Sequence, residues 1–343
     1  MPVIIVEGLE HAYGDRSALR GLNFRVDAGE VFGLLGPNGA GKSTTVGILT
    51  SQIVPSSGGA RILRRSVASE GSALRANIGL AAQDVRLSGH LSVEETLTFY
   101  GILYGLSGEK LEVRVSYLLS LLELEDRKVQ AVKELSEGLK RRVNLALALV
   151  HNPPVIFLDE PTTGLDPRSR HTLWRIIRQL KGEGKTIFLT THYMDEAETL
   201  CDRIAIIDAG KIVALGSPED LKATLGAGKV VEMEADCDDT AIETYEMVVG
   251  KGNVLCEGGI SIMTDDPKEV VRRLLEDFLD VENAQLRVRD PSLEDVFLKL
   301  TGRRITEDGD AEEVAQVRQS HRSGSRFLRL FWPRLRRMET GGE

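Results

Sequence analysis

Short apolar runs of β type, "VFGLL" from Val31, "VIFLD" from Val155, "TIFLTT" from Thr186 and "RIAIID" from Arg203, alternate with longer stretches whose apolar residues recur at helical spacing. That rhythm predicts an α/β fold, a sheet wrapped by helices, over residues 1–217. Between Gln83 and His151 the strand signals vanish and Leu118, Leu119, Leu121 and Leu122 fall on one helical stripe, so a helical insert is expected at about 84–151. Within it, "KELSEGLKRRVNLALAL" (133–149) reads as a helix start whose first turn holds Ser136 and Gly138. The first amides of a helix lack internal partners and carry partial positive charge, so this end is suited to an anion.

"RIAIIDAGKIVALGS" predicts a hairpin turning at Asp-Ala-Gly-Lys, and 218–228 read as a linker. Residues 229–302 then run β-α-β-β-α-β, with Leu286 and Val288 on one face of the last strand. They predict a small α+β, ferredoxin-like domain closed by a helix that Ser292 and Asp295 cap. Residues 303–343 are expected to be a charged, flexible tail. Five acids lie between Glu307 and Glu313, then seven arginines and no acid between Val314 and Met338. "SRFLRLFWPRLRRM" within it has the composition of an interfacial segment, interrupted by Pro333.

Composition narrows the partners. The formal net charge of −9 offers no overall basic surface, so no nucleic-acid partner is expected. No apolar run reaches the roughly 20 residues of a spanning helix, and a cytoplasmic location is expected. Cys201, Cys237 and Cys256 are odd in number and lack C-x-x-C spacing, and are read as reduced thiols.

Two stretches carry chemistry. "GPNGAGKST" (Gly36, Pro37, Asn38, Gly39, Ala40, Gly41, Lys42, Ser43, Thr44) follows an apolar strand and opens a helical segment. Its amides can wrap phosphates, Lys42 can place a cation between the terminal ones, and the Ser43 hydroxyl suits a magnesium ion, so a nucleoside triphosphate is expected here. "VIFLDEP" ends a strand on two carboxylates: Asp159 can hold the metal's water shell and Glu160 can polarise an attacking water.

With these, "AAQD" (Gln83), "LSEGL" (Leu135, Ser136, Glu137, Gly138), "TGLD" (Asp166) and "TTH" (His192) stand in an order that resembles the ATP-binding cassette (ABC) ATPases over residues 1 to about 217. The resemblance implies a P-loop fold with an antiparallel β subdomain and a helical subdomain. It implies ATP and Mg2+ as cofactors, with Ser43, Gln83 and Asp159 at the metal, Tyr13 stacked on adenine and Glu160 as general base. His192 would hold the γ-phosphate or the water, Gln83 would sense that phosphate and contact a membrane partner, and Asp166 would communicate across the dimer. It also implies a head-to-tail dimer, with a copy or a close relative, in which Leu135 to Gly138 close on the partner's ATP. Here the chain departs from the family's "LSGGQ": Glu137 and Leu139 replace glycine and glutamine. Either Glu137 points away from the phosphate or this half-site is weaker.

The leading expectation is the ATPase subunit of a transporter, peripheral on the inner face of the membrane, with a separate spanning subunit. The ending "DPSLEDVFLKLTGR" resembles daunorubicin-resistance ATPases, whose membrane partner is of the ABC-2 class, and implies export of a drug, lipid or polymer. A soluble ABC ATPase of DNA repair or translation is the alternative; a nucleotide kinase or GTPase is a third.

Overall fold

The computed structural model describes residues 1–83, 89–226, 228–233, 245–246, 254–256, 260–277, 286–306 and 308–313. In chain order, β1 (Pro2–Tyr13), β2 (Arg16–Asp27) and β3 (Val31–Leu35) lead through the glycine-rich loop into α1 (Lys42–Leu49). Then come β4 (Ser57–Ile62), β5 (Arg65–Ser66), α2 (Gly71–Arg75) and β6 (Ile78–Ala81). The described residues of the insert hold the α-helices α3 (Val93–Leu103), α4 (Gly108–Leu121) and α5 (Glu137–Leu149). The cassette closes with β7 (Val155–Asp159), α6 (Pro167–Gly182), β8 (Thr186–Thr191), α7 (Met194–Leu200), β9 (Arg203–Asp208) and β10 (Lys211–Gly216).

β2-β1-β4-β5 form an antiparallel sheet, and β10-β9-β3-β8-β7-β6 a second sheet that is parallel apart from β10. Strands β3, β7 and β8 are buried along their whole length, which explains why they read as unbroken apolar runs rather than alternating ones. Phe24, Phe32 and Phe188 stack between the two sheets, with centroids 5.3 to 5.9 Å apart. The other face of the parallel sheet packs on the insert, where Leu118, Leu119, Leu121 and Leu122 are all buried. Helix α3 starts at a reciprocal cap: the Glu95 amide donates to Ser92 Oγ (3.2 Å) and the Ser92 amide to Glu95 Oε2 (2.8 Å). The expected hairpin between β9 and β10 turns through Ala209 and Gly210, both at positive φ (45° and 78°).

Beyond Gly216 the stretch expected to be a linker instead begins with a helix, α8 (Pro218–Ala223), capped by Ser217 and Asp220. Leu221 and Leu225 are buried in the cassette's core, and this anchorage overrode the loop-like composition. Strands β11 (Lys229–Met233), β12 (Val254–Cys256) and β13 (Ile260–Thr264), helix α9 (Pro267–Asp277) and strand β14 (Leu286–Arg289) follow. The sheet order β12-β13-β11-β14, antiparallel throughout, is that of a ferredoxin-like unit. Most of its expected first helix lies outside the described residues, and Val288, expected beside Leu286 on one apolar face, is exposed. Helix α10 (Leu293–Thr301) has the expected Ser292–Asp295 cap, but Leu293, Val296 and Phe297 join the cassette's core.

The tail needs a correction. Residues 303–313, expected to be flexible, contain two strands, β15 (Arg303–Ile305) and β16 (Ala311–Glu313), paired antiparallel. Three-residue strands carry too little periodicity to read, and Ile305 gains its burial from the cassette. Residues 314–343, with the arginine-rich segment, lie outside the described residues.

Candidate functional site

Parallel pairing sets the site. In register, Leu35 faces Thr191 and Asp159 faces Thr190, so β3, β7 and β8 end along one edge of the sheet. Loops leaving such carboxyl ends are where open α/β sheets bind ligands. Lys42, Ser43, Asp159, Glu160 and His192, up to 150 positions apart in the chain, meet there.

The loop from Gly36 to Gly41 needs its glycines at two points. A Cβ on Gly36 would lie 2.1 Å from the Ile207 carbonyl oxygen, and Gly41, at φ 111°, would push one to 2.6 Å from Leu19 Cδ2. Lys42, only 4% exposed, donates from Nζ to the carbonyls of Gly36 (2.8 Å) and Pro37 (3.0 Å) and stands 3.0 Å from Glu160 Oε1. Glu160 is equally buried and adopts φ 47°, rare for a side chain of its size. Its amide, donating to the Thr190 carbonyl (3.1 Å) and Oγ1 (3.0 Å), fixes that turn. Its other carboxylate oxygen accepts from Thr163 Oγ1 (3.1 Å) and lies 3.2 Å from His192 Nδ1. Burial alone would raise the Glu160 carboxyl; His192 and Lys42 outweigh it and hold it at about 2. It is a carboxylate at neutral pH.

Burial pushes the neighbouring Asp159 carboxyl upward against hydrogen bonds from Thr190 Oγ1 (2.6 Å) and Ser43 Oγ (3.4 Å). Two oxygen donors, a carboxylate and a hydroxyl, suit a hard divalent cation that keeps waters and phosphate oxygens for its remaining positions. Among the described residues no cluster of three acidic, histidine or cysteine side chains could hold a metal alone. The His192 ring is buried, and neither nitrogen has a partner in hydrogen-bond geometry among the described residues. With Nδ1 turned to Glu160, the other nitrogen, Nε2, is suited to an oxygen that arrives with a ligand.

The remaining candidate residues stand apart from this cluster. Tyr13, 53% exposed, sits at the β1–β2 turn; its register partner Arg16 reaches 3.6 Å from where a Cβ on Gly39 would stand. Gln83 is exposed just past β6, with Arg141 donating to its backbone carbonyl, and its side chain makes no hydrogen bond to Ser43 or Asp159. Leu135 is buried and precedes Ser136, the N-cap of α5, whose Oγ accepts from the Leu139 amide (3.4 Å). Glu137 turns to its own helix, 2.8 Å from Lys140 Nζ. Asp166 caps α6, accepting from the Ser169 amide (3.0 Å) and hydroxyl (2.6 Å).

That cap brings Ser169 against α5: a Cβ on Gly138 would meet Ser169 Oγ at 2.7 Å and Cβ at 3.1 Å. Gly138→Val is therefore expected to cost about 1–3 kcal/mol, read by thermal melting.

Sequence reasoning missed Thr190, whose hydroxyl donates to the Asp159 carboxylate and accepts from the Glu160 backbone amide. It also missed the β15–β16 turn, where the Asn38 amide donates to the Gly309 carbonyl (2.5 Å). The doubled threonine in "TIFLTT" was the available signal for the first; nothing in the acidic tail signalled the second.

An ABC transporter family model matches residues 19–163. Nod factor export ATP-binding protein I of Rhizobium etli is 39% identical over 307 residues, covering 89% of this chain and 95% of that protein. The chain belongs to the ABC transporter ATP-binding family. Daunorubicin resistance ATP-binding protein DrrA3 of Streptomyces coeruleorubidus is likewise 39% identical, over 89% of this ABC ATPase and 98% of that relative. Among solved structures, an ATP-binding subunit of an ABC transporter superposes with a TM-score of 0.60 at 32% identity, covering 65% of this chain and 93% of the other. The dimeric cassette MJ0796 bound to ADP and Pi superposes at 0.58 with 27% identity, covering 62% and 98%. These solved cassettes cover less of the ATPase than the sequence relatives do, whose likeness runs on through most of the chain.

Proposed function

We propose that this ABC ATPase powers an exporter through a separate membrane subunit of the ABC-2 class, sitting on the inner face of the membrane and dimerising head to tail with a copy of itself or a close relative. The observation that carries this is likeness at 39% identity over 89% of the chain to proteins named for Nod factor export and daunorubicin resistance. A linearmycin resistance ATP-binding protein of Bacillus subtilis, 34% identical over 87% of the chain, belongs to the same set. These names span unlike molecules, so the cargo is assigned only as drug, lipid or polymer. Nothing in these relatives supports the DNA-repair or translation alternative. Among the described residues no helix is long and apolar enough to cross a membrane. The exposed Phe99, Ile102 and Leu103 of α3 offer such a membrane subunit an apolar seat.

In this reading the loop amides from Gly36 to Thr44 wrap the triphosphate, Tyr13 stacks on adenine, and Lys42 exchanges Glu160 for the terminal phosphates. Ser43, Asp159 and Gln83 would hold Mg2+, which would supply positive charge against that developing on the phosphates. Glu160, released from Lys42, accepts the proton of the attacking water, while His192 donates to the γ-phosphate or steadies that water. Asp166 couples the two sites through α6. Ser136 and the amides around Gly138 close on the ATP of the other subunit. Supporting that last step, α5 packs on β6, which is three strands from β3, about 14 Å at ordinary strand spacing.

Purification of the tagged ATPase from its native membranes tests the assignment. A polytopic membrane protein should co-purify and raise ATP turnover; recovery without one, with nucleic acid or ribosomes instead, contradicts it.

A further inference from the structure

The β15–β16 hairpin folds back onto the cassette. It leaves α10 through Gly302, at φ 71°, and buries Ile305 in the cassette's core. Arg303 stands 3.8 Å from Asp208 at the end of β9. Its turn is tied internally: the Gly309 amide donates to the Thr306 carbonyl (2.8 Å), the Thr306 amide to the Asp310 carbonyl (2.9 Å), and the Asp310 amide to Thr306 Oγ1 (3.1 Å). The turn meets the phosphate loop through three contacts at one residue. The Asn38 amide donates to the Gly309 carbonyl (2.5 Å), and Asn38 Nδ2 to the Asp308 carbonyl (2.8 Å) and Asp310 Oδ1 (3.4 Å). Gly309 is buried at φ 84°; a Cβ there would stand 2.9 Å from His192 Cγ and 3.0 Å from Asn38 Nδ2. The turn thus wedges between the phosphate loop and the buried His192 imidazole.

Two physical conflicts follow. A carbonyl oxygen on the Asn38 amide occupies a donor that a phosphate oxygen would use. Asp308 and Asp310, both exposed at the mouth, bring negative charge to a place that must admit a triphosphate. We propose that this turn is an internal plug of the ATP site, which nucleotide must expel before the partner subunit can close over the phosphate loop. The proposal rests on the assignment of residues 36–44 to the triphosphate. Because the plug is continuous with α10 and the C-terminal sheet, that domain gates access of nucleotide to the site. Apparent affinity is then the intrinsic affinity reduced by the fraction of molecules with the plug out.

The test uses the full chain. Gly309→Val cannot dock without displacing His192 or Asn38, and its ATP affinity should tighten about 10-fold, equivalent to about 1.4 kcal/mol. Asp308→Asn with Asp310→Asn, which keeps the turn's backbone, should tighten it about 3-fold, with less dependence on salt. Hydrogen exchange across residues 303–313, followed by mass spectrometry in the Glu160→Gln protein, should accelerate when ATP is added. Exchange that is unchanged or slowed by ATP, or a Gly309→Val protein that binds ATP no more tightly than the parent, overturns the plug. Lys42→Ala is the control: if it loses ATP while Gly309→Val changes nothing, only the plug fails, whereas undiminished binding by Lys42→Ala fails the phosphate-loop assignment itself.

Discussion

Glu160→Gln should lower ATP turnover by about 10²–10⁴-fold, the range lost with a general base, while leaving ATP bound. The amide keeps the side chain's shape and its hydrogen bond from Thr163, but cannot accept a proton from water. Its loss of charge also releases Lys42 from a 3.0 Å ion pair, so nucleotide no longer competes with a carboxylate for that ammonium. Binding should therefore be equal or tighter, and hydrolysis should all but stop. Measured together, turnover by phosphate release and affinity by equilibrium titration separate the base from a residue that merely binds: loss of both in a folded protein would remove Glu160 from the role.

Lys42→Met should act on both stability and binding. Lys42 and Glu160 are each 4% exposed, and removing one member of a buried pair typically costs about 3–5 kcal/mol, because the remaining charge is stranded. His192 and Thr163 still face Glu160, which places the expected loss at the lower end of that range. The same change removes the only side-chain ammonium that the described residues bring to the phosphate loop's interior, and charged hydrogen bonds of about 1.5–3 kcal/mol predict an affinity loss of about 10–100-fold. The double variant Lys42→Met, Glu160→Gln distinguishes the two effects. Melting temperature should recover towards that of the parent, and ATP affinity should not. Recovery of both would mean that Lys42 serves the fold rather than the nucleotide.

Much of the cassette was legible because its chemistry restricts residue types. Only glycine fits beside Ile207 and Leu19 in the phosphate loop, and fully buried parallel strands must be apolar, so "VFGLL" and "VIFLD" announce themselves. The ion pair between Lys42 and Glu160 was not legible: it depends on the pairing of β3 with β8 and of β8 with β7, which no local pattern encodes. Glu137 shows a middle case. Its charge raised the question of where it points, and only the structure supplies Lys140 as its partner. The C-terminal region was least legible. Its sheet follows from alternation, yet α8 reads as linker and the hairpin as flexible tail, since both owe their order to surfaces of the cassette rather than to periodicity of their own.

In the proposed head-to-tail dimer each ATP is held by two molecules. The direct measurement is a structure of the Glu160→Gln protein loaded with ATP and Mg2+. The account predicts a two-fold dimer in which Lys42 of one molecule and Ser136 of the other reach the same nucleotide; a monomer enclosing ATP with its own Lys42 and Ser136 would contradict it.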